Sequence, residues 1–141
     1  MTDKFNLYTD GACWGNPGPA SAGVIIKDKN NKKVFEGSIY LGRATNNIAE
    51  YNALIEGLKI ARRQNIEYLD VFSDSQLVIR QVIGEYKVKS GNLFGLKEKV
   101  LKYKKGFKNI EFHHSSRDSV EQAHKLAEKI LKNKFKPKTR R

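Results

Sequence analysis

Three acidic residues stand where a folded chain would hold a carboxylate rigidly. Asp10 follows an alternating apolar stretch and directly precedes a glycine, Asp74 follows a second apolar stretch, and Glu50 lies near the start of a periodic helix. Clustered carboxylates repel one another unless a cation offsets their charge, so a divalent metal site is the simplest explanation. Magnesium prefers oxygen ligands, and two such ions can activate a water molecule and stabilise the leaving oxygen of a phosphodiester. The alternative is ordinary turn and helix-start chemistry.

The elements that would bring these residues together follow from the hydrophobic pattern. Alternation of apolar and polar residues predicts strands, and a period near 3.6 residues predicts helices. The order β-β-β-α-β-α-α-β-α predicts an α/β fold with a five-stranded mixed sheet flanked by helices. Thr45 or an asparagine can cap the first helix, and a capping box is predicted near Ser119, where the last helix starts. The predicted strands are residues 4–10, 21–28, 33–42, 68–74 and 109–114, and the three earlier helices are residues 48–61, 75–84 and 91–105.

Two of the predicted strands place the carboxylates. Asp10 is predicted to end the first strand at a solvent-facing edge, and Asp74 to end the fourth. Leu69 and Val71 point to one side of the fourth strand and Phe72 to the other, which predicts a strand covered on both faces. The ends of adjacent parallel strands form the usual ligand crevice of an α/β sheet. If the first and fourth strands are neighbours, their two aspartates meet there.

Composition narrows the class of protein. With 141 residues, 39% hydrophobic and 30% charged, the chain fits one globular domain, which we place at residues 1–133, followed by a mobile basic tail at residues 134–141. The net charge of +12 favours a polyanionic partner, nucleic acid above all. Cys13 is the only cysteine, which excludes an intrachain disulfide and fits a reducing compartment. We expect a cytoplasmic protein with neither a signal peptide nor a membrane span.

Three stretches of the chain form a specific set of motifs: residues 9–19 (TDGACWGNPGP), 45–50 (TNNIAE) and 73–76 (SDSQ). They resemble the leading motifs of ribonuclease H, type I, and the resemblance extends from about residue 4 to residue 133. The resemblance implies a ribonuclease H-like fold with four acidic groups that bind two Mg²⁺ ions, with Mn²⁺ as a substitute. It implies an endonuclease that hydrolyses the RNA strand of RNA–DNA hybrids and leaves 5′-phosphate and 3′-hydroxyl ends.

The fourth acidic position holds a histidine. Asp10, Glu50 and Asp74 match three of the family's four acids, whereas His124 stands where the last motif has its aspartate, in the stretch AHKLA. Three roles for His124 are open. It is a metal ligand, which suits manganese better than magnesium, or a general acid or base, or the position is lost and the second ion is held weakly. In the last case the chain is a catalytically impaired module that binds hybrids or double-stranded RNA.

The resemblance also implies which residues hold the substrate. Amide side chains and backbone groups read the 2′-hydroxyl groups that distinguish RNA from DNA. Arg117 is favoured over His113 and His114 for assisting product release, and the basic handle of some family members is absent. We expect a monomer that acts on RNA–DNA hybrids, with double-stranded RNA as an open alternative and no membrane partner. The substrate-binding set is Gly11, Cys13, Asn16, Asn46, Asn47, Gln76 and Arg117.

Overall fold

A five-stranded sheet carries helices on both faces in the computed structural model, which describes residues 3–135. The strands lie in the order β3-β2-β1-β4-β5. The predicted succession of elements and the mixed sheet are confirmed. The elements are β1 (Lys4–Cys13), β2 (Gly18–Lys27), β3 (Lys33–Ala44), α1 (Asn46–Arg63), β4 (Tyr68–Ser73), α2 (Gln76–Val82), α3 (Gly91–Lys104), β5 (Asn109–His114), a 3-10 turn (Arg117–Val120) and α4 (Glu121–Phe135).

β1 is the central strand and determines where the carboxylates lie. It pairs antiparallel with β2 and parallel with β4, as the crevice prediction required. Its parallel pairing ends where Tyr8 lies opposite Phe72. Asp10 and Asp74 each lie two residues beyond this pair, so they are side by side where β1 and β4 separate.

The first strand extends further than predicted. β1 continues to Cys13 because β2 pairs with it as far as the pair Cys13 and Ala20. Asp10 therefore lies three residues inside the strand, opposite Gly23, with none of its surface exposed. The prediction that Asp10 ends the strand at a solvent-facing edge is wrong, because pairing with β2 and cover by a helix enclose it.

α1 buries its apolar face on one side of the sheet. Its start is capped as predicted, since the Oγ1 atom of Thr45 accepts a hydrogen bond of 3.2 Å from the amide of Ile48. Burial of aliphatic and aromatic side chains from β1, β2, α1 and the helices beyond it forms the main core. Its largest fully buried members include Leu7, Val24, Ile26, Tyr51, Leu54 and Leu58.

α4 packs on the opposite face, against β1, β2 and β3. The residues before it form the 3-10 turn, in which the amide of Ser119 donates to the carbonyl of Ser116, instead of the predicted capping box. The helix extends through Phe135, two residues past the predicted domain boundary. The rest of the predicted tail, residues 136–141, lies outside the described residues.

The sheet is covered unevenly on the α4 side. Burial alternates along β4, where Leu69 and Val71 are buried while Asp70 and Phe72 stay partly exposed. The prediction that this strand is covered on both faces is wrong, because α4 packs over β1 to β3 and leaves the β4 and β5 half of this face open. Within the described residues, no helix is long and apolar enough to cross a membrane.

Candidate active site

Three carboxylates from three elements converge beside the end of β4. Asp10 comes from β1, Glu50 from the second turn of α1, and Asp74 from the residue after β4. One ligand oxygen from each lies within 4.8 Å of the others. The structure thus brings together the three acids that the sequence predicts to share one site.

Asp10 is the innermost of these groups. Its Oδ2 atom lies 2.8 Å from Nδ1 of His124, and its Oδ1 atom is buried with no hydrogen-bond partner among the described residues. Burial raises the pKa of Asp10 to about 6, and the neighbouring charge of Asp74 adds to this, while the hydrogen bond to His124 lowers it. The carboxylate form therefore gains stability from any cation placed beside Oδ1.

Glu50 is held by the backbone of the residue that follows Asp10. The amide of Gly11 donates a hydrogen bond of 3.0 Å to Oε1 of Glu50. A Cβ atom on Gly11 would lie 2.5 Å from the backbone carbon and oxygen of Ala49, so only glycine allows α1 to approach this closely. Burial, followed by the charge of Asp10, raises the pKa of Glu50 to about 8 despite the hydrogen bond from Gly11.

Arg117 brings a permanent positive charge to the site. Its Nε atom donates to Oδ2 of Asp74 over 2.6 Å, and Asp74 keeps only 13% of its side chain exposed. This hydrogen bond raises the pKa of Arg117 above its already high value. The guanidinium therefore offsets part of the negative charge at the open side of the cluster.

His124 reaches Asp10 because α4 is anchored tightly on β2. The hydroxyl of Ser21 donates to the carbonyl of Ala127 over 2.6 Å, and a Cβ on Gly23 would lie 1.8 Å from the carbonyl oxygen of Ala123. Sequence reasoning missed Ser21 and Gly23. Their signal was the run of small residues at positions 20–23, which in a strand marks the close approach of another backbone.

The donor set fits a divalent oxygen-seeking cation. It combines three clustered carboxylates, a buried carboxylate oxygen that no group of residues 3–135 hydrogen-bonds, and pKa values raised by burial. Each of these features costs free energy that a bound cation would offset. Asp10, Glu50 and Asp74 would hold the ion directly, and His124 borders them.

The chain is similar to known proteins both in sequence and in structure. A sequence model of a family described as reverse transcriptase-like matches residues 8–130. The crystal structure of RNase H1 from the archaeon Halobacterium salinarum superimposes with a TM-score of 0.91 at 35% identity, covering 92% of this chain and 98% of that one. The chain belongs to the ribonuclease H family, type I. LC11-RNase H1, isolated from compost, is also similar, with a TM-score of 0.87 and 36% identity over 96% of this chain and 99% of its own.

The curated ribonuclease H relatives are longer than the part that matches. Ribonuclease HI of Halobacterium salinarum is 35% identical over 128 residues, which make up 91% of this chain but 64% of that protein. A bifunctional protein of Mycobacterium tuberculosis is 35% identical over 125 residues, or 88% of this chain and 34% of its own length. The chain thus matches only part of the length of each of these proteins.

The amide residues implied for substrate contact form a second group in this ribonuclease H domain. The Oδ1 atom of Asn16, in the turn after β1, accepts a hydrogen bond of 2.9 Å from the amide of Asn46 at the start of α1. Asn47 is exposed beside them, and Gln76 is exposed at the start of α2. Asn46 and Asn47 thus lie on the helix that carries Glu50, and Gln76 lies two residues after Asp74.

The other residues considered for substrate contact or product release are Cys13, His113 and His114. The Sγ atom of Cys13 lies 2.7 Å from the carbonyl oxygen of Gly15 and 2.9 Å from that of Ala44, so its side chain ties the turn to the end of β3. His114 is exposed at the end of β5. His113 lies 3.0 Å from Asp70 on the open half of the sheet, away from the carboxylate cluster.

Proposed function

We propose that the chain is a metal-dependent endonuclease that hydrolyses the RNA strand of RNA–DNA hybrids and leaves 5′-phosphate and 3′-hydroxyl ends. The observation that carries this proposal is the buried Asp10 carboxylate with an unpartnered oxygen, next to Glu50 and Asp74. Membership of the ribonuclease H family supports it. So does the similarity to LC11-RNase H1, which has been solved in complex with an RNA/DNA hybrid and matches at a TM-score of 0.83 and 37% identity over 89% of this chain.

We propose two Mg²⁺ ions as the resident cofactors, with Mn²⁺ as a substitute. Divalent ions in such a cluster supply an activated water and stabilisation of the leaving oxygen. The chain's own residues orient the cluster. Gly11 fixes Glu50 through its amide, Arg117 fixes Asp74, and burial keeps competing water from the inner oxygen of Asp10.

His124 is proposed as the fourth group of the site. Its Nδ1 atom faces Asp10 and its Nε2 atom lies 4.0 Å from Glu128, so the ring is oriented between two carboxylates. An imidazole in this place suits Mn²⁺ better than Mg²⁺ as a ligand, and it also suits proton transfer near neutral pH. A ligand role for His124 would make the cleavage rate depend on whether Mn²⁺ or Mg²⁺ is present, whereas a proton-transfer role would affect the rate with either ion.

Substrate recognition is proposed for the amide group around the turn after β1. Asn16, Asn46 and Asn47 would read the 2′-hydroxyl groups of the RNA strand together with Gln76, since short amides both donate and accept hydrogen bonds. Backbone groups of Gly11 and Cys13 would contact the same strand. Arg117 is proposed to contact a phosphate and to assist product release.

Cleavage of a labelled RNA–DNA hybrid tests the proposal. The full chain is expected to cut the RNA strand with Mg²⁺ or Mn²⁺, while Asp10→Asn folds normally by circular dichroism and shows no cleavage. Asp28→Asn, which changes an aspartate of the β2–β3 turn, is the matched control and is expected to cleave normally. Full activity of Asp10→Asn would refute the assignment.

The alternative of a binding module without catalysis is disfavoured. Such a module would gain little from three clustered carboxylates that face the phosphates of its ligand. Activity on double-stranded RNA, the monomeric state and a cytoplasmic location stay predictions. Sedimentation and cleavage of a matched RNA duplex would test the first two directly.

A further inference from the structure

The open half of the sheet on the α4 side presents an ordered row of rings. Tyr8 of β1 stacks on Phe72 of β4 with ring centroids 5.1 Å apart, and Phe72 stacks on His113 of β5 at 5.0 Å. The ring planes of Phe72 and His113 differ by only 22°. The imidazole is therefore fixed in orientation by packing on a rigid strand, although 38% of its side chain stays exposed.

Two carboxylates meet the ring nitrogen of His113. Asp70 of β4 and Glu111 of β5 are directly paired neighbours, and His113 lies two residues after Glu111 on the same face. The Nε2 atom of His113 is 3.0 Å from Oδ1 of Asp70 and 3.9 Å from Oε1 of Glu111. One ligand atom from each of the three lies within 4.8 Å of the others.

The two separations from Nε2 of His113, 3.0 and 3.9 Å, match those of ligands around one metal ion. Donors that each lie about 2 Å from a Zn²⁺ ion are separated from each other by roughly 3 to 4 Å. One imidazole nitrogen with two carboxylate oxygens is a donor set typical of zinc and related first-row ions rather than of magnesium.

Lys4 orients the carboxylate of Asp70. The Nζ atom of Lys4 lies 3.3 Å from Oδ2 of Asp70, which leaves the other oxygen, Oδ1, directed at His113. Metal-binding carboxylates are commonly held in this way by a hydrogen bond to their second oxygen. With His113 neutral, the cluster keeps a net negative charge even with Lys4 included.

We propose that Asp70, Glu111 and His113 form a binding site for a first-row transition-metal dication, with Zn²⁺ as the probe. The site is separate from the carboxylate cluster, because Asp70 precedes Asp74 by four strand residues, about 13 Å along β4. A bound ion would join the edge strand β5 to β4 and stabilise the folded state by mass action.

Nitrogen NMR of the imidazoles in the full chain tests the site directly. The chain has 3 histidines, so the ring nitrogens of His113, His114 and His124 are followed separately. Titration with Zn²⁺ at pH 7.5 is expected to shift the Nε2 resonance of His113 and to leave its Nδ1 protonated. Any binding of zinc at His124 appears on its own resonances and does not obscure the result.

Calorimetry on matched variants provides the second test. His113→Phe keeps a ring to stack on Phe72 but removes the ligand nitrogen, so zinc stoichiometry should fall by one site. Glu111→Gln changes an exposed side chain and should weaken zinc binding at least about tenfold. His114→Gln, which changes the exposed neighbour, should bind zinc as the unaltered chain does. Unshifted His113 resonances at saturating zinc, or unchanged stoichiometry in His113→Phe, would overturn the proposal.

Discussion

The amide of Gly11 donates a hydrogen bond of 3.0 Å to the carboxylate of Glu50, so the residue after the innermost carboxylate positions the second one. β1 and α1 are thereby joined at the point where the cluster forms. The contact is made by backbone on one side, which means that its geometry depends on how closely the helix approaches the strand.

Gly11→Ala should damage both stability and activity. The added Cβ atom would lie 2.5 Å from the backbone of Ala49, which forces α1 outward and moves Glu50. We expect a loss of about 1–3 kcal/mol in the free energy of unfolding, as for other overpacked sites. Urea unfolding and hybrid cleavage measure the two effects. Gly95→Ala is the control, because no atom of residues 3–135 lies within 4 Å of its added Cβ, and it should cleave hybrids normally.

In the metal-free chain, the free energy of unfolding should fall as the pH rises. The folded-state pKa of Asp10 is raised to about 6 and that of Glu50 to about 8, so the folded chain holds protons that the unfolded chain releases near pH 4. The contribution of these two groups to the free energy of unfolding is complete below about pH 4. It is lost as the pH rises through about 6 for Asp10 and about 8 for Glu50. Denaturant unfolding in a chelator from pH 5 to 9 measures this.

Glu50→Gln isolates one part of that pH dependence. Without the Glu50 carboxyl, the decline in unfolding free energy between pH 6 and 9 should be smaller than in the unaltered chain. Millimolar Mg²⁺ should flatten the decline in the unaltered chain because it binds the deprotonated carboxylates. Equal slopes in both proteins would contradict the assigned burial of Glu50.

His124→Asp should change which metal supports cleavage. A carboxylate is a better ligand for magnesium than an imidazole, so the ratio of the Mn²⁺ rate to the Mg²⁺ rate should fall, by roughly tenfold. Lys125→Ala, at the exposed neighbouring position of α4, should leave that ratio unchanged. If cleavage occurs only after the substitution, His124 disables the site, and the binding-module alternative describes the unaltered chain.

Arg117→Ala should weaken binding of the hybrid in a salt-dependent way. The guanidinium beside Asp74 is proposed to contact one phosphate, so the slope of log K against log salt should decrease by about 0.9. Binding is measured with Ca²⁺ in place of Mg²⁺ to avoid cleavage. Lys108→Ala, at the opposite end of β5, should keep the original slope. A slope unchanged in Arg117→Ala would remove the phosphate role.

The sequence predicted the order of elements because each has a clear period and a clear break. It also predicted that Asp10 and Asp74 converge, because each follows an apolar stretch and these two stretches pair as parallel strands. The predicted solvent exposure of Asp10 was wrong, because β2 and α4 bury this residue and its sequence neighbours do not. The residues next to Asp10 in the sequence do not indicate which distant elements pack over it.

Contacts between distant segments account for the other errors. Ser21 and Gly23 anchor α4 from about 100 residues away, and the run of small residues around them does not indicate which element packs there. The predicted capping box near Ser119 gave way to a 3-10 turn that directs the chain back across the sheet. The open half of the sheet beside Phe72 likewise followed from where α4 lies, which the pattern of β4 alone did not reveal.

The hydrogen bond between Asp10 and His124 spans 114 positions of the chain. On the ribosome the three carboxylates are therefore made long before the histidine that faces them. A nascent chain halted between residues 75 and 120 would carry the acids but neither His124 nor the helix that buries Asp10. Any metal that such a chain captures would be bound in water-exposed form, so the enclosed site can form only after the last helix has been synthesised.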